Sequence, residues 1–206
     1  RLLGAAYLRD RLVVHPFDEE FGADLARVKA ITDGDPRIQG STADERTWTV
    51  AFDSDVAPGA TYMFNRDTGE HEFLFRPRPW LEPDDLSPMT PVQITSRDGL
   101  TLYSYLTTPK GLDPTGLPMV LVVHGGPWSR DAWGYDAEAQ FLANRGYAVL
   151  QVNYRGSTGF GKHFMHAAER EFAGKMHDDM VDAVNWAVEQ GVADPDRLAI
   201  YGGSYG

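Results

Sequence analysis

The second half of the chain predicts an α/β fold, a parallel sheet with helices on its faces, and three observations lead there. Met119–Val123 is a continuous apolar run of strand length, and Tyr147–Val152 repeats it with a single Gln. Such runs suit strands buried on both faces. Each is followed by a helical segment closed by glycine: Ala137–Asn144 stops at Gly146 before the second run, and Met176–Gln190 stops at Gly191 after it. Leu198–Tyr201 is a third strand behind the turn-former Asp194-Pro-Asp196. Strand, helix, strand, helix, strand in this order implies parallel pairing.

Taken in order, Gly4–Leu8 and Arg11–His15 are short apolar-rich runs around Arg9-Asp10, a hairpin pattern. From Asp18 to Thr32, Phe21, Leu25, Val28 and Ile31 recur at helical spacing. Asp18, Glu19 and Glu20 stand where the helix dipole favours acids and form a solvated face, and Gly34 follows as a stop. Thr47–Asp53, Thr61–Asn65 and His71–Arg76 read as a three-stranded meander, with joints at Asp55–Gly59 and Arg66–Gly69. A meander of this length looks like part of a β-propeller blade, of which the chain has one clear copy. Prolines 77, 79, 83, 88 and 91 then break regular structure. The expected organisation is 1–80 as the end of a propeller, 81–91 as a proline-rich linker and 92–206 as the α/β unit. That unit opens with a hairpin, Val92–Thr95 and Thr101–Thr107 around Ser96-Arg-Asp-Gly99, because Asp-Gly accepts positive φ.

Composition excludes several functions. The net charge of -11 argues against nucleic acid or an anionic membrane as partner, since both call for a basic surface. The longest apolar run, Leu117–Val123, is far below the ~20 residues that span a bilayer. The 206 residues contain no cysteine, which removes thiol nucleophiles, disulfides and cysteine-ligated zinc. No cofactor and no metal are expected. Compartment is not fixed by composition, with a cytoplasmic one favoured.

Chemistry enters with the last five residues, Gly202-Gly203-Ser204-Tyr205-Gly206, a G-x-S-x-G directly after a buried strand. A serine nucleophile needs a sharp strand-to-helix turn that leaves its hydroxyl exposed, and small residues two before and two after let the backbone pack there. The N–H of Tyr205 then faces the developing oxyanion. His124-Gly-Gly-Pro127 follows the apolar strand in the place where α/β-hydrolases carry their second oxyanion donor, and Gly125 is the expected donor. His124 reads as structural, because the chain order Ser, Asp, His puts a catalytic histidine after Ser204.

Gly156-Ser-Thr-Gly-Phe-Gly-Lys-His163 competes with this reading, since G-x-x-x-x-G-K is most of a nucleotide-binding loop. His163 stands where magnesium binding requires Ser or Thr. The loop is expected instead to shape the wall of an acyl-transfer site, with Arg155 in a salt bridge and Tyr154 either at the site or in the core. His163, His166 and His177-Asp-Asp179 form no compact ligand set. Trp128 and Trp133 either line a pocket or cap the fold.

His124-Gly-Gly-Pro-Trp128, Asn153-Tyr-Arg-Gly-Ser-Thr-Gly-Phe-Gly161 and Gly202-Gly-Ser-Tyr-Gly206 together resemble the hydrolase domain of the prolyl oligopeptidase family, nearest to acylaminoacyl-peptidase and dipeptidyl-aminopeptidase-like enzymes. Ser96–Leu100 through Thr107–Gly111 resembles that domain's opening hairpin, and Thr47–Phe75 its last propeller blade. The resemblance implies a serine peptidase acting on peptides, with a propeller preceding a truncated α/β-hydrolase domain, Ser204 as nucleophile, and Gly125 and Tyr205 as oxyanion-hole backbone donors. Some relatives add a tyrosine hydroxyl at the position of His124, which this chain lacks. The family's catalytic Asp and His are not among these residues, so the chain is expected to be an internal fragment, inactive and aggregation-prone in isolation. An esterase and a non-catalytic propeller scaffold are the competing functions. A homo-oligomer is left open.

Overall fold

The computed structural model describes residues 2–206. They form two compact units, one ending at Leu86 and the other running from Ser87 to Gly206.

The first unit opens with the hairpin β1 (Gly4–Leu8) and β2 (Leu12–Pro16), paired in register from Gly4↔Pro16 to Leu8↔Leu12. Helix α1 (Glu19–Lys29) follows, and the Asp18 side chain caps it by accepting the Phe21 N–H at 2.9 Å. Its buried face, Phe21, Leu25 and Val28, packs with Trp48, Val50, Phe52 and Phe64. Those aromatics and Val50 come from a four-stranded antiparallel sheet in sequential order: β3 (Asp35–Ser41), β4 (Thr47–Ser54), β5 (Ala57–Asn65) and β6 (His71–Phe75). Sequence reasoning found three of these strands and missed β3. The run DPRIQGS carries a proline, a glycine and few β-formers, and it sits at the sheet edge with most of its residues exposed. Burial pattern therefore could not reveal it. β5 also begins inside the run read as a joint, leaving a tighter turn at Asp55-Val56. Asp24, one turn after Glu20 on the same side of α1, is buried and paired with Arg66 at 2.7 Å and Arg27 at 2.9 Å. Along β6 every residue is exposed, including Phe73, Leu74 and Phe75.

The second unit holds a five-stranded sheet of order β11-β9-β10-β8-β7. Here β7 is Met89–Thr95, β8 Thr101–Thr107, β9 Leu117–Val123, β10 Ala148–Val152 and β11 Ala193–Gly202. β9, β10 and β11 are mutually parallel, whereas β8 pairs antiparallel with β10 and with β7. Alternation along the central strands serves both faces. Met119, Leu121, Val123, Leu150 and Val152 pack with Met176, Met180, Ala183 and Ala187 of α4 (Lys175–Glu189). Val120, Val122 and Val149 pack with Ala139 of α2 (Ala137–Ala143) on the other side. α3 (Lys162–His166) is a short helix between β10 and α4.

Two local differences from the sequence reading have the same cause. β7 starts at Met89, inside the stretch read as irregular, and Pro91 is tolerated because β7 is the sheet edge. Asp194-Pro-Asp196 lies inside β11, where a register shift between Ala193 and Leu198 accommodates it and Asp194 accepts the Asp196 N–H at 2.9 Å. Turn chemistry is present in both places, but pairing to a neighbour absorbs it.

Candidate active site

Ser204 follows the end of β11, exposed, with φ at +58°. A non-glycine residue in the left-handed region costs on the order of 1–3 kcal/mol and persists only where its surroundings impose it. Here they do. A side chain on Gly202 would meet the Gly206 backbone at 2.6 Å and the Val123 carbonyl oxygen at 2.7 Å, and one on Gly206 would drive into the same oxygen. The two outer glycines of the motif are thus required by the close approach of the turn to the end of β9. The Tyr205 ring anchors the turn, 5.1 Å from Tyr154 and 5.0 Å edge-on from Phe172.

The structure brings Gly125 to this turn. A Cβ built on Gly125 would lie 3.3 Å from the Ser204 Cβ and 3.9 Å from its Oγ, so any larger residue would crowd the hydroxyl. The two glycine-bearing loops, separated by most of the α/β unit in sequence, meet because parallel pairing sets Gly202 beside Val123.

The loop after β10 clamps the second of them. Gly156 has φ +98°, and a side chain there would meet Pro127 at 2.8 Å and Ala168 at 2.7 Å. The Thr158 N–H donates to the Ser129 carbonyl at 2.9 Å. Phe160 is stacked 4.9 Å from Tyr103 and lies under the Arg130 guanidinium at 4.2 Å. The His124 ring is taken up within this clamp: Nδ1 donates to the Gly125 carbonyl at 2.7 Å, and Nε2 lies 2.9 Å from the Ser157 hydroxyl. Burial lowers the imidazole pKa, which keeps the ring neutral. Both ring nitrogens are engaged, which accords with a structural His124.

Comparison with known proteins follows the same residues. Residues 133–206 match the model of the prolyl oligopeptidase family. Dipeptidyl aminopeptidase BIII of Pseudoxanthomonas mexicana is 51% identical over 207 aligned residues, covering 97% of this chain and 30% of that protein. Residues 133–206 belong to the prolyl oligopeptidase family. Among solved structures, a Mycobacterium tuberculosis puromycin-hydrolyzing peptidase is 30% identical with a TM-score of 0.68 over 77% of this chain and 25% of that one. The Pyrococcus horikoshii acylaminoacyl peptidase, at 24% identity and a TM-score of 0.68, shares the fold over 85% of this chain and 28% of that chain. The chain spans under a third of the length of these relatives.

Other singled-out residues fall into place around the site. Trp133 donates its indole N–H to the Met89 carbonyl at 2.9 Å and so fastens its loop to β7, whereas Trp128 is 73% exposed. His166 pairs with Glu169 at 2.5 Å, and Asp178 and Asp179 face arginines, so the histidines and acids read from the sequence point to separate partners. His177 lines a hollow of about 290 Å³ beside Tyr205 and Gly206, with Val123, Phe172 and Met180. Arg155 is the centre of a buried ion network. It donates to Asp179 from Nη2 at 2.6 Å and Nε at 2.9 Å, and to Asp98 through both terminal nitrogens at 2.8 and 2.9 Å. Its backbone N–H also donates to Asp179 at 2.8 Å. These hydrogen bonds, to Asp179 first and Asp98 second, raise the Arg155 pKa further above its ordinary value.

Asp131 was not singled out by sequence reasoning. The loop after His-Gly-Gly-Pro half-buries it, and its buried Oδ2 has no hydrogen-bond partner among the described residues, nor has Oε1 of buried Gln151. Burial, reinforced by the Asp136 carboxylate, pushes its carboxyl up to about 7. The native state therefore holds this proton more tightly than the unfolded chain, whose aspartate titrates near ~3.9. The sign follows: the protonated form favours folding at low pH, and stability falls as pH rises from about 4 to about 7. Asp131→Asn is expected to be about 1–3 kcal/mol more stabilising at pH 8 than at pH 5, measured by urea denaturation at the two pH values. An equal effect at both would show that Asp131 titrates normally.

Proposed function

We propose that these residues are the nucleophile-bearing part of a serine peptidase that hydrolyses short or N-acylated peptides through an acyl-enzyme on Ser204. The observation that carries the reading is the exposed, left-handed Ser204 held against Gly125 by glycines that tolerate no side chain. The Ser204 Oγ attacks the scissile carbonyl carbon while a general base takes its proton. The carbonyl oxygen becomes an oxyanion facing the N–H groups of Gly125 and Tyr205. Collapse expels the amine, which leaves with that proton, and water then hydrolyses the ester. The base and its carboxylate partner come from chain outside residues 1–206, and without them Ser204 is a weak nucleophile.

The names of the relatives, an aminopeptidase releasing dipeptides and a peptidase hydrolysing puromycin, support a small amide or peptide as substrate. The first unit supports a propeller blade: four antiparallel strands in sequential order, ending in the exposed β6. We place the end of a propeller in residues 1–80 and the hydrolase domain after a linker that ends before β7 begins at Met89. The open edge of β11, with Leu198, Ile200 and Tyr201 exposed, supports a sheet that continues beyond it and a poorly soluble isolated chain. No helix among the described residues is long and apolar enough to cross a membrane.

Fluorophosphonate labelling of the full-length protein, read by intact mass, tests the reading. One adduct is expected on the wild type and none on Ser204→Ala. A folded protein that takes no adduct would refute an activated Ser204 and leave a non-catalytic scaffold.

A further inference from the structure

The clamp on the oxyanion loop contains a hydroxyl aimed at one particular peptide unit. The Tyr154 Oη donates to the carbonyl oxygen of His124 at 2.9 Å. That carbonyl belongs to the same planar peptide unit as the Gly125 N–H. We propose that Tyr154 is a positioning residue for the oxyanion hole, its hydroxyl fixing the plane of the His124–Gly125 peptide and polarising its N–H toward the reacting oxygen. The proposal rests on the reading of Ser204 and Gly125 given above.

Further observations support this beyond the single hydrogen bond. Tyr154 is fully buried, so the bond is made in a low-dielectric setting where it is stronger and polarises its neighbours. Its ring is stacked on the His124 ring, 4.5 Å away and 17° from parallel, and packs 5.1 Å from the Tyr205 ring. One side chain thus touches His124, which precedes the Gly125 donor, and Tyr205, which carries the other donor. The next peptide unit is held as well, because the Gly125 carbonyl accepts from His124 Nδ1 at 2.7 Å. Finally, the Tyr154 backbone is itself tied in: its carbonyl accepts from the Ser157 N–H at 3.1 Å, with the Ser157 hydroxyl 2.7 Å from the same oxygen. Burial raises the Tyr154 phenol pKa, so the hydroxyl remains a donor across the working pH range.

An accepted hydrogen bond on a peptide carbonyl makes the attached N–H a better donor. The benefit appears only when an oxyanion is present, so it belongs to kcat rather than to substrate binding. The test uses the full-length protein and Tyr154→Phe, which keeps the ring stack and deletes the hydroxyl. The expected result is a kcat about tenfold lower with KM within twofold. Affinity for a peptide aldehyde, which presents an oxyanion after adding to Ser204, should fall by a similar factor, while affinity for the matching product peptide stays unchanged. Equal loss for aldehyde and product, or no change in kcat, overturns the proposal while the peptidase reading stands. A wild type that neither hydrolyses peptides nor takes the fluorophosphonate overturns both. If Tyr154→Phe does not fold, 3-fluorotyrosine at position 154, a stronger donor of nearly the same shape, is expected to bind the aldehyde at least as tightly as the wild type. Weaker binding there would overturn the proposal.

Discussion

Ser204→Ala in the full-length protein is expected to lower kcat for peptide hydrolysis by about 10⁴- to 10⁶-fold while leaving substrate affinity intact. The size follows from the role. The other elements of the site stabilise charge that develops as Oγ attacks, so without Oγ they can assist only the much slower direct attack of water. The same position carries a stability signature. Ser204 has φ +58°, which alanine shares at the same steric penalty and glycine avoids. Ser204→Gly should therefore be about 1 kcal/mol more stable than Ser204→Ala, in urea denaturation, and equally inactive. If glycine were no more stable than alanine, the turn would not be strained. If Ser204→Ala kept substantial turnover, the nucleophile would lie elsewhere.

Arg155→Met is the second large effect, expected to cost about 3–5 kcal/mol in stability. The methionine fills most of the volume but leaves the fully buried Asp179 carboxylate without its cation. Uncompensated buried charge is more costly than the lost pair itself. The double variant Arg155→Met/Asp179→Leu should consequently be less destabilised than Arg155→Met alone, read from urea midpoints. Asp98 does not reverse this expectation, since its side chain is 36% exposed and the Lys175 ammonium lies 3.5 Å away. A double variant that loses the sum of both single effects would mean that the two residues act independently. Because the network joins the turn of the β7–β8 hairpin to α4 and to the start of the Gly-rich loop, partial loss of catalytic rate is expected to accompany the loss of stability.

Much of the α/β unit was legible in the sequence because its signals are local. A strand buried on both faces must be apolar throughout, as Met119–Val123 is, and an amphipathic helix must repeat its stripe, as Met180, Val184 and Ala187 do. The turn at Ser204 was legible for a similar reason. Its glycines answer to a backbone clash within a few residues and with the end of one neighbouring strand. β3 was not legible, since an exposed edge strand needs neither apolar faces nor strong β-formers, only a partner with free backbone groups. The partner is β4, and nothing in DPRIQGS names it.

The sequence by itself determined the parallel character of the sheet, the serine turn and the residue types available to an oxyanion hole. Tertiary structure decided which groups complete them. Tyr154 reads equally well as core or site until its hydroxyl is seen on the carbonyl of His124, 30 residues earlier. Arg155 has its acids 57 residues before it and 24 after it. A side chain's type limits what it can bond, but burial makes the bond necessary, and only the packed sheet specifies which distant partner lies within reach.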